Sequence, residues 1–271
     1  MSRGLEPTVI ADRALNNAPR LTHIQYIAMV CSIVIFSLGS QIFYLIPFYM
    51  YYPALICHTE NNSFECDHHR ACEADIARYE LNWESHDTLN NWMTQLNLIC
   101  IEPFYIGILG SVSFICFSIG SFFFTKQADV FGRHLVTCAA ATLTPLALIV
   151  LVIGVPHFGL IGIYLTFAIL GLTYNPRGST AYLYGAEMLP TKKRLLFGQI
   201  LFFADGIFSI CASFYFYSIG NLNAFFIGIL IAFTTALIAM QFLLPETPSF
   251  LLMKGDIAGY QHSLAIVTGE K

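Results

Sequence analysis

Long apolar runs with at most one charged residue each dominate the chain, and short polar segments separate them. Six such runs cover approximately residues 24–49, 103–124, 135–155, 159–183, 198–219 and 224–244, the fourth and fifth each carrying one ionisable residue. A helix crosses the hydrocarbon core of a bilayer with about 20 mainly apolar residues. The runs are continuous, whereas the strands of a membrane β-barrel alternate between apolar and polar positions. The pattern therefore predicts an all-α membrane protein, a bundle of six transmembrane helices.

Composition and charge narrow the function classes. Hydrophobic residues make up 56% of the chain and charged residues 11%, where a soluble domain carries about 25% charged residues. The apolar excess must face lipid, so the bilayer is the expected partner. The net charge of −4 argues against nucleic acid, which binds basic surfaces. We divide the chain into an N-terminal segment (1–23), the bundle (24–244) with a long loop (53–102), and a tail (245–271).

Lys and Arg fall mostly on one side of the predicted bundle. Ten of them lie before the first run, between the second and third, between the fourth and fifth, and in the tail. The long loop on the other side has only Arg70 and Arg78. By the positive-inside rule, we expect a multi-pass protein of the plasma membrane or an endomembrane with both termini in the cytosol.

The long outer loop is acidic and contains half of the cysteines. These are Cys57, Cys66, Cys72 and Cys100. An oxidising compartment permits disulfides between them, and the sequence leaves three pairings open. Asn61 begins an Asn-Asn-Ser glycosylation acceptor on the same side. The segment Cys-Asp-His-His at 66–69 matches no structural zinc spacing, so we expect a polar turn there, and neither a metal nor a cofactor.

Three polar motifs lie on the predicted cytosolic side. They are Lys-Gln-Ala-Asp-Val-Phe-Gly-Arg-His (126–134), Glu-Met-Leu-Pro-Thr-Lys-Lys-Arg (187–194) and Leu-Pro-Glu-Thr-Pro-Ser-Phe-Leu-Leu (244–252). In the first, Asp129 can accept hydrogen bonds from helix N-terminal amides, Gly132 suits a tight turn, and Arg133 can reach a carboxylate or a helix end. In the second, we expect Glu187 and Arg194 to form part of a cytosolic gate or brace, or to cap helix ends.

Together with the cysteine-containing loop, these motifs resemble the major facilitator superfamily, and in particular its organic cation and anion transporter branch. The resemblance covers essentially the whole chain. It implies secondary transport of small organic ions by alternating access, without covalent catalysis. The first motif departs from the family pattern at Val130 and His134, where basic residues are usual, and the third departs at Ser249 and Phe250. These departures favour the alternative function, a non-transporting scaffold or accessory subunit that retains the fold.

Members of this superfamily have twelve helices in two halves, and the chain resembles the N-terminal half. Alternating access requires two bundles that move about a site at their interface. Three explanations stay open: the chain is a fragment that lacks its second half, two copies associate, or the bundle has become a non-transporting subunit.

The resemblance also places the substrate-cavity wall mainly on the first and fourth helices. Gln41 and Tyr44 interrupt the apolar first run, and Tyr174 and Asn175 precede Pro176 in the fourth. Each of these side chains is a cavity candidate. The alternatives are a hydrogen bond to a neighbouring helix for the first pair and a plain structural kink for the second.

Two ionisable residues lie inside predicted spans, Arg177 in the fourth and Asp205 in the fifth. A charge at the centre of a membrane helix costs about 2.5–3.5 kcal/mol. Both residues lie at similar depths on adjacent helices, about 10 Å from the cytosolic ends. We therefore expect a structural pair, a substrate or coupling site in the cavity, or snorkelling of Arg177 to the cytosol.

Overall fold

The computed structural model describes residues 7–17, 20–60, 62–74, 76–124 and 126–269. The predicted glycosylation acceptor Asn61 lies outside these ranges. The helices are α1 (Pro7–Asn17), α2 (His23–Tyr44), α3 (Ile46–Tyr49), α4 (His68–Ala71), α5 (Trp92–Gln95), α6 (Pro103–Phe124), α7 (Gln127–Phe131), α8 (Arg133–Ile149), α9 (Val155–Glu187), α10 (Thr191–Ser218), α11 (Leu222–Leu243), α12 (Pro248–Met253) and α13 (Ile257–Thr268). The strands are β1 (Leu55–His58), β2 (Ser63–Cys66) and β3 (Arg78–Leu81).

Five helical segments in the described ranges are long and apolar enough to cross a membrane, which confirms an all-α membrane fold. One of them, Arg133–Glu187, has 55 residues. At 1.5 Å per residue it would measure about 80 Å, more than twice the thickness of a bilayer core. The chain reverses at Gly159, where φ is 56° and ψ is −148°. Because Thr137 Oγ1 donates to Thr180 Oγ1 at 2.7 Å across the reversal, the segment forms two antiparallel arms, which correspond to the predicted third and fourth runs.

Prolines account for two interruptions of the predicted helices. The first run, predicted as 24–49, is divided into α2 and α3 near Pro47, which has no N–H to donate to the carbonyl four residues earlier. The third predicted run, 135–155, ends four residues before the reversal at Gly159, but it is not a regular α-helix throughout. It continues through a π-helical turn, Val150–Gly154, into α9. Pro156 follows that turn and frees a carbonyl within it, which favours the wider helix.

Two helices, α2 and α9, form the centre of the bundle. α6 packs against α9 and α10 against α2, while α8 and α11 contact each other and cover the same pair from behind. The close contact of α6 with α9 depends on glycine. A Cβ at Gly120 would lie 2.1 Å from the Leu172 carbonyl oxygen, and one at Gly171 would lie 2.5 Å from that of Ser113. Small residues allow membrane helices to approach at backbone distance in this way.

The outer loop forms a small antiparallel sheet with the strand order β2-β1-β3. All four predicted cysteines are paired, as Cys57–Cys66 and Cys72–Cys100. In the polar turn that follows β2, the Asp67 side chain caps the start of α4 and accepts a hydrogen bond from the backbone N–H of Arg70. The ring of His68 stacks on Tyr52 at 3.7 Å, and burial together with the charge of His69 lowers the pKa of His68.

The N-terminal and C-terminal segments of the described chain lie at the same end of the bundle. Ala11 and Leu15 of α1 are fully buried, and α1 packs against α10, α12 and α13. Thr22 begins α2 with a capping box and also donates through Oγ1 to the Val267 carbonyl at 2.8 Å. This end of the bundle carries the three motifs that the sequence predicts to be cytosolic.

Candidate functional site

Arg133 lies at the centre of the polar network at this end. It is the first residue of α8, and its side chain is only 6% exposed. Its Nη2 lies 2.9 Å from Asp129 Oδ1, and its Nε donates to Glu187 Oε1 at 3.2 Å. It also donates to the Ala128 carbonyl at 3.2 Å and lies over the Phe250 ring at 5.3 Å. The guanidinium therefore joins the start of α8 to the end of α9 and to the tail.

Glu246 completes this network, although the sequence analysis did not name it as a site residue. Its carboxylate accepts from the backbone amides of Arg133 (3.1 Å) and His134 (3.0 Å), which form the N-terminus of α8. Gly132 makes this contact possible, since a Cβ there would lie 2.1 Å from Glu246 Oε2 and its φ is 110°. Thr247 adds a 2.6 Å hydrogen bond to Glu187. One sequence feature could have identified Glu246, because it is a carboxylate two residues after the last predicted run.

Arg194 does not join this network. Its Nε donates to the carbonyls of Ala186 (3.0 Å) and Leu189 (3.1 Å), at the end of α9. Its Nη2 pairs with Asp12 Oδ1 of α1 at 2.5 Å. Four of the five predicted gate residues, Arg133 with Asp129, Gly132 and Glu187, therefore belong to one network. Arg194 instead caps the end of α9, which was the alternative expectation, and also binds α1.

Within the membrane region, α2 and α9 share a side that α8 and α11 leave uncovered. We call it the front face, defined by Phe36, Ser40 and Tyr44 on α2 and by Tyr174, Gly178 and Tyr182 on α9. The residues of each set are four apart and so lie on one side of their helix. Ser40 Oγ lies 3.2 Å from Tyr174 Oη, and Gly178 leaves space for the Phe36 ring. Tyr44 is 53% exposed.

A shallow cavity of about 240 Å³ opens at the front face between α2, α6 and α9. Its lining includes both predicted tyrosines, Tyr44 and Tyr174. The Tyr174 ring meets Phe43 at 5.1 Å and Phe117 at 5.3 Å, edge to face in both cases. Asn175, also predicted to line the cavity, is not among its lining residues; it is half-buried and accepts a hydrogen bond from Ser179 one turn further along α9. The cavity is thus mainly aromatic with hydroxyl groups at its edge.

Asp205 of α10 is half-buried and is held by a buried amide, Gln41. Gln41 Nε2 lies 3.3 Å from Asp205 Oδ1 and donates to it. Ser209 Oγ in turn donates to Gln41 Oε1 at 3.0 Å, and Tyr49 donates to the Gln41 carbonyl at 3.3 Å. Gln41 and Asp205, both predicted cavity residues, therefore contact each other, and Gln41 holds the Asp205 carboxylate in position.

The predicted Arg177–Asp205 pair is wrong. Arg177 is 1% exposed, so it does not snorkel to the cytosol either. It donates to the Ile35 carbonyl at 3.0 Å, and no carboxylate among the described residues lies within ion-pair distance of it. Its guanidinium occupies the space beside Gly39. Gln41, which contacts Asp205, is two residues from Gly39 and so lies about 200° around the helix. Helix α2 therefore separates the two charges.

Comparison with known proteins identifies the family. Residues 31–271 match the family model described as Sugar (and other) transporter. No curated protein matches the chain. The match covers most of the chain and agrees with the apolar helices, and the family is one of transporters and not of enzymes. The chain therefore belongs to the sugar (and other) transporter family of the major facilitator superfamily and is a multi-pass membrane transporter.

Proposed function

We propose that this bundle forms one wall of a secondary carrier that moves small organic ions by alternating access. The front face is the observation that carries the proposal. A helix surface in contact with lipid is expected to be apolar, and ionisable residues within a membrane mark substrate pathways. Here the two central helices present hydroxyl groups and aromatic rings on one side, beside the half-buried Asp205. A polar and aromatic wall of this kind suits contact with a solute.

The charges favour a cation as the solute. Asp205 receives a hydrogen bond from an uncharged amide, Gln41, and no basic side chain in the described part of the chain forms an ion pair with it. The Arg177 charge lies on the other side of α2. Aromatic rings also attract cations through their faces, and the rings of Phe36, Tyr182 and Phe202 cluster at the cytosolic side of Asp205. These features suit a small amphiphilic organic cation.

The cytosolic network supports the carrier over the scaffold alternative. Despite the departure at Val130, Arg133 retains Asp129 and Glu187 as partners. Phe250, which stands where the family usually has a different residue, lies under the Arg133 guanidinium as a cation–π partner. The network joins three segments of this one bundle and so keeps its cytosolic end together, as is required of a half that moves as a unit against a second bundle. We place this end, and with it both termini, in the cytosol because it carries most of the basic residues.

A second wall is required, because alternating access needs two bundles around one site. We propose that it comes from a second six-helix half or from a second copy of this chain. Halves of this fold are related by an axis along the membrane normal. A parallel homodimer therefore satisfies the geometry as well as a twelve-helix chain does.

Uptake into proteoliposomes tests the proposal. We expect uptake of a radiolabelled quaternary ammonium cation to exceed that of an aryl carboxylate, and Asp205→Asn to reduce it about tenfold, the effect of losing one charge contact. Ser213→Ala, on the same helix but two turns away, is the matched control. The oligomeric state is measured in parallel by cross-linking. Uptake of neither probe by folded dimers, or equal uptake by the wild type and Asp205→Asn, would contradict the proposal.

A further inference from the structure

A second surface feature lies on the flank of the bundle, away from the front face. It is an open groove of about 740 Å³ between α8 and α9, closed at one end by the end of α6 and by α7. We call it the flank groove. Ala139 and Ala140 form part of one wall, Thr173 and Pro176 part of another, and Phe124 and Phe131 lie at the closed end. Almost the whole lining is apolar, as expected for a surface within the membrane.

The flank groove is separate from the proposed substrate face. Leu172 and Pro176 line it, and each is two residues from Tyr174 on the same helix. At 100° per residue, both project about 160° away from Tyr174. The groove therefore faces the surrounding lipid, and its occupant does not compete with the transported solute for space.

A basic residue adjoins the closed end of the groove in the sequence. Gln127 is part of the lining, and the residue before it, Lys126, is exposed. The nearest carboxylate in the sequence, Asp129, is already paired with Arg133. Anionic lipids are concentrated in the cytoplasmic leaflet and are attracted by Lys and Arg close to the membrane. An apolar groove with a lysine at its cytosolic end is complementary to an anionic phospholipid.

We propose that the flank groove binds an acyl chain of an anionic phospholipid, with the head group at Lys126. This inference uses the cytosolic orientation proposed above and is independent of the substrate. The acyl chain lies against Thr173 and Pro176. Pro176 directly precedes Arg177 and is two residues from Tyr174, so the lipid contacts the same turn of α9 that contributes to the front face.

The chain also offers a comparison groove. It has a volume of about 550 Å³ and lies between α2 and α11, with Tyr26, Val30 and Ala232 among its lining residues. It is similarly apolar, but no Lys or Arg adjoins any of its lining residues in the sequence. We therefore expect it to hold lipid acyl chains without preference for the head group.

The experiment is photolabelling of the full chain in nanodiscs with phosphatidylserine that carries a diazirine on its acyl chain, and with the matching phosphatidylcholine. Labelled peptides are identified by mass spectrometry. We expect phosphatidylserine to label the segment around Ala139 more strongly than phosphatidylcholine does. Ala139→Phe, which fills the groove from an exposed position, should reduce this labelling to background. The matched variant Ala232→Phe should leave it unchanged and reduce labelling only in the comparison groove.

Lys126→Gln tests the head-group contact separately. We expect it to lower the ratio of phosphatidylserine to phosphatidylcholine labelling in the flank groove about fivefold, the effect of one lysine near an anionic surface. Equal labelling by both lipids in the wild type, or an unchanged ratio in Lys126→Gln, would overturn the anionic site. Cross-links between two chains at Ala139 would show that a second copy occupies the groove. Labelling does not depend on uptake, so this proposal and the carrier proposal can fail independently.

Discussion

The two most buried arginines of the described chain differ in whether their guanidinium groups have carboxylate partners. Arg133, at the end of the bundle that carries both described terminal segments, has two carboxylate partners, a carbonyl and an aromatic ring. Arg177, within the membrane, has one carbonyl and two rings, from Tyr174 and Phe233, and its Nε has no hydrogen-bond partner. Burying a charge without a counter-charge is costly. The first arginine therefore holds the fold together, whereas the second reduces stability, which points to a role in function.

Removing Arg133 should give the largest effect. Arg133→Met leaves the nearly buried Glu187 carboxylate with only the Thr247 hydroxyl. Breaking a buried ion pair in this way costs about 3–5 kcal/mol. We expect a loss of that size in the free energy of unfolding, measured by SDS titration in mixed micelles. Asp129→Asn is the control, and because Asp129 is 70% exposed it should cost less than about 1 kcal/mol. Similar losses for the two variants would mean that Arg133 is not a brace.

The same substitution at the other arginine should act in the opposite direction. Arg177→Met removes a buried charge that has no carboxylate to leave behind, and such replacements are neutral or stabilise by about 1–4 kcal/mol. We expect an unchanged or higher free energy of unfolding together with reduced uptake. Gly39→Ala provides a further check, because its Cβ would lie 1.0 Å from Arg177 Nη1. It should destabilise the wild type more than it destabilises Arg177→Met. If Arg177→Met lowered the free energy of unfolding as much as Arg133→Met does, both arginines would stabilise the fold and the proposed difference between them would be wrong.

A substitution at Gly132 tests the network around Arg133 by changing the backbone conformation that the network requires. Gly132→Ala must adopt φ 110° and ψ 151°, a region that is essentially restricted to glycine and costs about 1–3 kcal/mol for other residues. The new Cβ also displaces the Glu246 carboxylate from the N-terminus of α8. Gly107→Ala, on α6 with no atom within 4 Å of the new Cβ, is the matched control and should be neutral or slightly stabilising. Equal melting temperatures for the two variants in detergent would show that the Glu246 cap contributes nothing.

The sites around Arg133 and Arg177 also show which features can be predicted from the sequence. The apolar runs predict the spans, and the motif at 126–134 predicts that Arg133 can reach a carboxylate or a helix end, because both are local patterns. For Arg177 and Asp205, depth in the membrane follows from residue counting, but the side of the helix that each residue faces depends on how α9 and α10 rotate against α2. No local pattern encodes that rotation. The disulfide pairing depends in the same way on how the whole outer loop folds, since Cys72 and Cys100 lie outside the three strands and pair across 28 residues.

The smallest expected effect on stability concerns the ion pair between Arg194 and Asp12, which joins the start of α10 to α1. Asp12 and Arg194 are about one quarter exposed, and pairs with this access to solvent contribute about 0.2–1 kcal/mol. A double-mutant cycle with Asp12→Asn and Arg194→Met should give a coupling energy in that range, which decreases at high salt. Arg194→Met alone should cost more than Asp12→Asn, because it also removes the hydrogen bonds to the Ala186 and Leu189 carbonyls. A coupling energy close to the Arg133→Met loss would place Arg194 in the buried brace and make α1 as essential to the fold as α8.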